Sequence, residues 1–441
     1  MRLRTLILNV VVLLALLPAF PAAAHAATTT PTEAAALSAA ENDHTAYTLP
    51  ADKLAKSDSL AKIHKITFFV GTAWGILSLV LILQLRIAAR MRNVAVNLSK
   101  NRWAQSFTFL LQFLLITTIL GLPLSLYQQS VRRQYGLSIQ SWGSYFGDMA
   151  KELSLTLVFG GLLVMLLFWL IRKFPRRWWL VLWFPVMAIV LFSVYISPIV
   201  IDPLFNQFEP LSQSNPALVA EIAKVARHGG IDIPPERMFL MKASAKVTTL
   251  NAYVTGFGGS KRVVVWDTLL AKMTPDEVAL VCGHEMGHYI LGHILTGILF
   301  SFFMILFSFF LGFHLFQFLL RRFGAQWRIP AQDNWAALVV FLLVLQVIGF
   351  FIQPVASAFS RSHEHAADVF GLESVHGIVA SPQQAGQGAF QVLGENSFTE
   401  PNPSALMEFW TDSHPPIWLR AGFSRHYDPW AQGQAPKYLQ K

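Results

Sequence analysis

Charge is what this chain lacks. Only 13% of its 441 residues are Asp, Glu, Lys or Arg, about half of the rough quarter found in soluble domains. Cysteine is nearly absent too. Cys282 stands alone, which excludes an intrachain disulfide and a Cys-based zinc site, and its apolar setting reads as a small buried hydrophobe. No internal repeat is visible. Apolar residues fill the space instead: they make up 54% of the chain, with 35 Phe and 13 Trp, the composition of a polytopic membrane protein. The net charge of +9 is broken into short clusters beside apolar runs rather than gathered into one patch. That pattern excludes nucleic acid as a partner and is the mark of topology signals.

Six apolar runs lie at roughly 66–85, 104–127, 154–171, 178–200, 294–318 and 335–358. Each can cross about 30 Å of hydrocarbon as a helix of about 20 residues. None carries a charge at its centre, which argues against a coupled ion transporter. Ahead of them, Arg2, Arg4, a short apolar core and the small residues of "AAAHA" read as a signal peptide over residues 1–26, with an uncleaved first span as the competing reading. Residues 27–65 read as an exposed extramembrane segment that turns helical toward "DSLAKIHK". The plan is then four spans in 66–200, a catalytic insertion at 201–293, two spans in 294–358 and a C-terminal catalytic segment at 359–441. Neither soluble part buries a sufficient core alone, so a shared site requires that they meet.

The loops at 86–103, 172–177 and 321–334 are rich in Arg and Lys and nearly free of acid. They share one side if all six runs span, and the positive-inside rule makes that side cytoplasmic. Both soluble segments then face outward, as the leader independently implies.

The chemistry sits in "KMTPDEVALVCGHEMGHYILGH". Thr274 is a good N-cap, Pro275 fits the first helical position and Glu277 completes a capping box, so a helix starts here and is expected to run through His293. His284 and His288, four residues apart, share one face and can reach a single Zn²⁺. Glu285 sits beside them as general base toward the attacking water. Gly283 and Gly287 give the helix room. A catalytic zinc wants a third protein ligand, and "SRSHEHAADVFGLE" supplies Glu364 at the start of another helix. Asp368, one turn on, is placed to accept from a ligand imidazole. His363 and His365 are rival ligands that a helix points away from this face. His293 lies too far along the axis for one small ion and reads as interfacial.

"HEMGH", two intervening spans and then "SRSHEHAAD" resemble the HExxH and later ExxAD elements of the type I CAAX prenyl endopeptidase family, integral-membrane zinc proteases. "GLPLSLY" (121–127), "YISPIVIDPLFNQFEPL" (195–211), "LNAYVTGFGGSKRVVVWDTLL" (250–270) and "SHPPIWLR" (413–420) extend the resemblance over roughly residues 60–425. It implies an internal chamber surrounded by the helices. It also implies a substrate-binding role for Asn251, Ala252 and Tyr253, stabilisation of the oxyanion by His414, and organisation of the site by Arg420. Read from the residues alone, "NAYVTG" and "KRVVVW" form a hairpin around "FGGS", whose exposed strand can hold an extended peptide by backbone hydrogen bonds. Two departures stand out. A signal-like segment replaces the family's first span, and His365 replaces its usual aromatic after the third ligand.

The expectation is an α-helical polytopic membrane protein with a small α/β zincin-like catalytic domain and one Zn²⁺ per chain. It acts as a metalloendopeptidase on peptide or protein substrates at the lipid bilayer, with no obligate protein partner. Its expected place is a bacterial inner membrane, with the site facing the periplasm. An outward site is separated from cytosolic prenylation, so extracytoplasmic or membrane peptides are the expected substrates. The rival readings are a heat-shock-type membrane quality-control zinc protease and a non-catalytic membrane scaffold. The first normally has fewer spans, and the intact His284, Glu285, His288 and Glu364 argue against the second.

Overall fold

The computed structural model describes residues 29–256 and 261–439. The leader at 1–26 and the "FGGS" turn lie outside the described residues. The described residues begin with helix α1 (Pro31–Glu41), followed by α2 (Ala51–Gln84), α3 (Ile87–Leu98), α4 (Arg102–Gln134) and α5 (Trp142–Lys173). Helix α6 (Trp178–Ile196) continues through a π-helical turn, Ser197–Ile201, into Asp202–Phe205. Next come β1 (Phe208–Pro210), α7 (Pro216–His228), β2 (Met238–Met241), β3 (Ala252–Thr255), β4 (Arg262–Trp266) and α8 (Pro275–Ile290). The C-terminal half is α9 (His293–Trp327), α10 (Ala337–Val375), α11 (Pro382–Ser397), α12 (Ala405–Trp410) and α13 (Ile417–His426).

Among the described residues six helices, α2, α4, α5, α6, α9 and α10, are long and apolar enough to cross a bilayer. Ile119, Phe184, Phe192 and Phe303 stay exposed on them, as lipid-facing side chains do. The helices outrun the apolar runs that mark them in sequence. A hydropathy run stops at the first polar residues, but nothing there ends the backbone hydrogen bonding. Helix α10 shows why this matters. Its 39 residues are about 58 Å long, against about 30 Å of hydrocarbon. Its C-terminal part therefore stands clear of the bilayer and carries Glu364 and Asp368 on the same helix as the sixth span, beyond Pro354.

The three basic loops gather at one end of the bundle. Arg86 Nε donates to the Gln326 carbonyl at 3.1 Å and Arg92 Nη1 to that of Arg328 at 3.2 Å. Gln332 Nε2 donates to the Pro175 carbonyl at 3.0 Å. At the other end sits the extramembrane domain, built on a four-stranded sheet of order β1-β2-β4-β3. Its β2–β4 pair is parallel and its outer pairs are antiparallel. One apolar core unites Leu218, Val263, Cys282, Val369 and Phe423, drawn from the insertion, α10 and the C-terminal segment. A second core, around Trp178, Phe168, Phe316 and Phe341, holds the membrane bundle.

The N-terminal arm overturns the expectation of an exposed segment. Ala36, Ala40, Ala46 and Tyr47 are buried, and the Ala40 Cα lies so close to Gly422 that a Cβ there would meet it at 3.1 Å. An Ala-rich composition reads as solvated, yet small side chains are what let two helices approach closely. Glu33 is fully buried, hydrogen-bonded to His365 and Lys437. Burial by itself raises the Glu33 carboxyl, but bonds from His365 and Lys437, the Lys437 charge and the Thr30 N–H together lower it from 4.5 to about 2. A depressed carboxyl contributes stability that is present above its unfolded value and lost as pH falls through the folded one. Protection of residues 31–41 against hydrogen exchange, taken relative to the intrinsic rate at each pH, is therefore expected to hold above pH 4.5 and to fall as pH drops toward about 2.

Candidate active site and metal centre

Helix α8 is capped as the sequence predicts: the Thr274 side chain accepts from the Glu277 N–H, and the Glu277 side chain accepts from the Thr274 N–H. It does not run through His293. It ends at Ile290, and Gly292 in the left-handed region (φ 72°) separates it from α9. Glycine adopts that conformation without strain, so the break is local and cheap. The break folds the His293 ring back, and its Nδ1 lies 2.9 Å from His288 Nδ1. His293 is thus a neighbour of the motif that axial spacing along an unbroken helix missed. Gly292 was the signal that could have found it.

Helices α8 and α10 approach backbone to backbone. A Cβ at Gly287 would meet the Ala367 Cα at 3.3 Å, one at Gly371 would meet the His284 Cα at 3.2 Å, and one at Gly283 would strike Ser374 Oγ. This contact puts Glu364 opposite the two histidines. His284 Nε2 lies 3.3 Å from Glu364 Oε2, and His288 Nε2 lies 3.4 Å from Glu364 Oε1. The two Nε2 atoms are 3.2 Å apart, and one ligand atom from each of the three residues falls within 4.8 Å of the others.

Around this triad, Asp368 Oδ1 accepts from His284 Nδ1 at 2.8 Å. That bond orients the ring so that Nε2 faces Glu364. Asp368 is also held by Arg420, whose Nε and Nη2 donate to its two oxygens at 2.8 and 2.6 Å. The guanidinium stacks 4.4 Å from the Phe390 ring, and its Nη2 is 3.5 Å from Glu364 Oε2. His414 Nε2 also lies 3.5 Å from that oxygen, on an exposed side chain. His363 and His365 turn away from the triad. The first bonds Thr296 Oγ1 and the second bonds Glu33.

A cavity of about 660 Å³ opens onto these groups, lined in part by Leu60, His64, Asn251, Ala252, Glu285 and His414. Its wall thus includes the start of the first span. Strand β3 is an edge of the sheet, and Ala252 at its start lines this cavity together with Glu285. Tyr253 corrects one expectation. Successive side chains of a strand face opposite ways, and Tyr253 lines a separate cavity with Lys246 and Trp266. Its side chain is turned away from the triad.

Burial pushes the Glu285 carboxyl up to about 7, with Glu364 adding to the rise and His284 and Arg420 opposing it. A base that titrates near neutrality is matched to proton transfer there. Burial also lowers His288 to about 4, keeping it neutral. Burial works against a charge on His284, yet its bond to Asp368 and the negative charges of Asp368 and Glu364 beside it raise it to about 10.

Residues 41–207 match the profile described as CAAX prenyl protease N-terminal, five membrane helices, and residues 212–426 match peptidase family M48. The chain belongs to the M48 peptidase family. It is 29% identical over 385 residues to the metalloprotease YhfN of Bacillus subtilis, covering 87% of this chain and 88% of that one. It is 31% identical over 287 residues to CAAX prenyl protease 1 of Saccharomyces cerevisiae, covering 60% of this chain and 61% of that one. The crystal structure of S. mikatae Ste24p matches the fold with a TM-score of 0.71 at 22% identity, over 93% of this chain and 98% of that one. The fold is that of a polytopic membrane protease with an internal chamber.

As an M48 member the chain is a metallopeptidase integral to the membrane, and the family implies a divalent metal. The triad fits one. Two imidazole nitrogens and a carboxylate are a zinc-type donor set, and buried Glu364 Oε2 accepts no hydrogen bond. The Arg420–Asp368 pair behind it is nearly closed to solvent, at 11% and 2% side-chain exposure. Removing one partner of such a pair strands the other charge and costs about 3–5 kcal/mol. Arg420→Met is expected to lower the thermal midpoint of the purified protein sharply. Arg420→Lys is expected to recover little of that loss, because an ammonium cannot make the two-pronged contact.

Proposed function

We propose that this protein is a zinc endopeptidase that cleaves membrane-associated or extracytoplasmic peptides, with its site facing the periplasm. The observation that carries the reading is the convergence of His284, His288 and Glu364 on one point at the wall of a cavity. These three residues would hold the metal, with Asp368 orienting His284. Zn²⁺ bound there would act as a Lewis acid toward the scissile carbonyl and make water more acidic. Glu285 takes the proton of the attacking water as the C–O bond forms, and delivers it to the amine as the C–N bond breaks. His414 and Arg420 lie on the Glu364 side of the cavity, where a donor can stabilise the oxyanion. Asn251 and Ala252, at the start of an edge strand, are placed to hold an extended peptide by its backbone.

Two placements support the outward orientation. The basic loops gather at the end away from the catalytic domain, which the positive-inside rule assigns to the cytoplasm. The N-terminal arm docks on the catalytic domain, so the site faces whichever side residue 31 is delivered to, and a leader delivers it outward. The relatives in Saccharomyces cerevisiae and Homo sapiens are CAAX prenyl protease 1 and a homolog of it. Outward placement separates this site from cytosolic prenylation, so prenyl groups are not required of its substrates.

Replacing Glu285 with Gln is expected to lower kcat about a hundred- to ten-thousand-fold while zinc content per chain stays unchanged. Comparison of envelope peptides from cells carrying wild type or this variant is expected to show accumulation of periplasmic peptides in the variant. Equal proteolysis by the two proteins sinks the mechanism, and accumulation of cytosolic peptides alone sinks the orientation.

A further inference from the structure

The residues flanking Glu364 have their own partners. Glu364 is followed by His365, whose Nε2 donates to Glu33 Oε1 at 3.0 Å and whose ring meets Phe423 edge-on at 4.8 Å. Glu33 belongs to the N-terminal arm, 332 residues away in sequence. Its other oxygen accepts from Lys437 Nζ at 2.7 Å and from the Thr30 N–H at 3.1 Å. Lys437 belongs to the C-terminal tail, and the tail is tied to α10 as well. The N–H groups of Lys437, Tyr438 and Leu439 and the hydroxyl of Tyr427 all donate to the Glu373 carboxylate.

Arm, α10 and tail therefore form a closed ring of contacts. Glu33 is its hub, with a fully buried carboxylate. A carboxylate is stable in such a place only when donors surround it, and here the donors come from three separate segments. The ring grips α10 at His365, the residue after Glu364. Rotation of that helix decides where the Glu364 oxygens point relative to His284 and His288 on α8.

We propose that Glu33 is a positioning residue for the metal site: through His365 it sets the orientation of Glu364, so the docked arm is part of the machinery that builds the site. The proposal rests on Glu364 being a metal ligand. Glu364→Gln, carried in parallel, tests that premise separately, because its failure to weaken binding removes the premise whatever Glu33 does.

The experiment uses the full chain in detergent or nanodiscs and measures Zn²⁺ affinity by chelator competition and the visible spectrum of the Co²⁺-loaded protein. Glu33→Ala is expected to weaken Zn²⁺ binding about 10–100-fold, as loss of an outer-sphere partner does, and to change the Co²⁺ spectrum. Glu33→Gln keeps an acceptor for His365 and loses the Lys437 pairing, so it is expected to fall between Ala and wild type. Tyr47→Phe loosens the arm at its bond to the Thr399 carbonyl without touching α10. It is expected to lower the thermal midpoint and leave affinity and spectrum at wild-type values. Wild-type affinity and spectrum in Glu33→Ala overturn the proposal. If that variant does not fold, the same result in Glu33→Gln overturns it. Equal loss in Tyr47→Phe and Glu33→Ala also overturns it, since arm stability would then be the whole effect.

Discussion

The backbone contact between α8 and α10 is the constraint on which the rest of the site depends. Gly283 and Gly287, one turn apart on α8, meet Ala367, Gly371 and Ser374 on α10 with no room for a Cβ. Small residues at such a crossing let helices approach closely, as they do between spans. This closeness brings two imidazoles on one helix within reach of a carboxylate on another. Larger side chains at these positions would push the helices apart by more than a coordination bond tolerates.

Helix α10 is also the sixth span, and that connects the metal site to the bilayer. Its membrane portion is packed into the aromatic core around Trp178 and Phe341, and its distal portion enters the core of the extramembrane domain through Val369 and Phe370. The helix continues from one to the other across Pro354. The height and rotation of Glu364 are therefore set by bundle packing from below and by the arm and tail from above. Arg420 completes the arrangement, neutralising Asp368 so that a buried acid can hold His284 without being left unpaired.

Much of this was legible in the residues. Uncharged runs marked all six spans, the capping box at Thr274 marked the start of α8, and the spacing of His284, Glu285 and His288 marked the chemistry. Glu364 and Asp368 could be paired with them because a carboxylate one turn from an acid on a helix is a recognisable ligand-and-partner pattern. Other features depended on tertiary structure. The break at Gly292 turns on one φ angle, and an unbroken helix puts His293 out of reach. The arm read as solvated because alanine carries no hydrophobic periodicity, although its small size is what allows contact with Gly422. Tyr253 was placed by association with Asn251, and strand alternation turned it to the opposite face.

The account stands or falls on one metal ion held jointly by α8 and α10. The direct measurement is zinc per chain, by elemental analysis of the purified full-length protein and of His284→Ala, His288→Ala and Glu364→Gln variants whose melting curves show them folded. One zinc per wild-type chain, lost or severely depleted in each variant, is the predicted result. Full zinc content in folded Glu364→Gln would contradict the account, because the membrane rod would then supply no ligand.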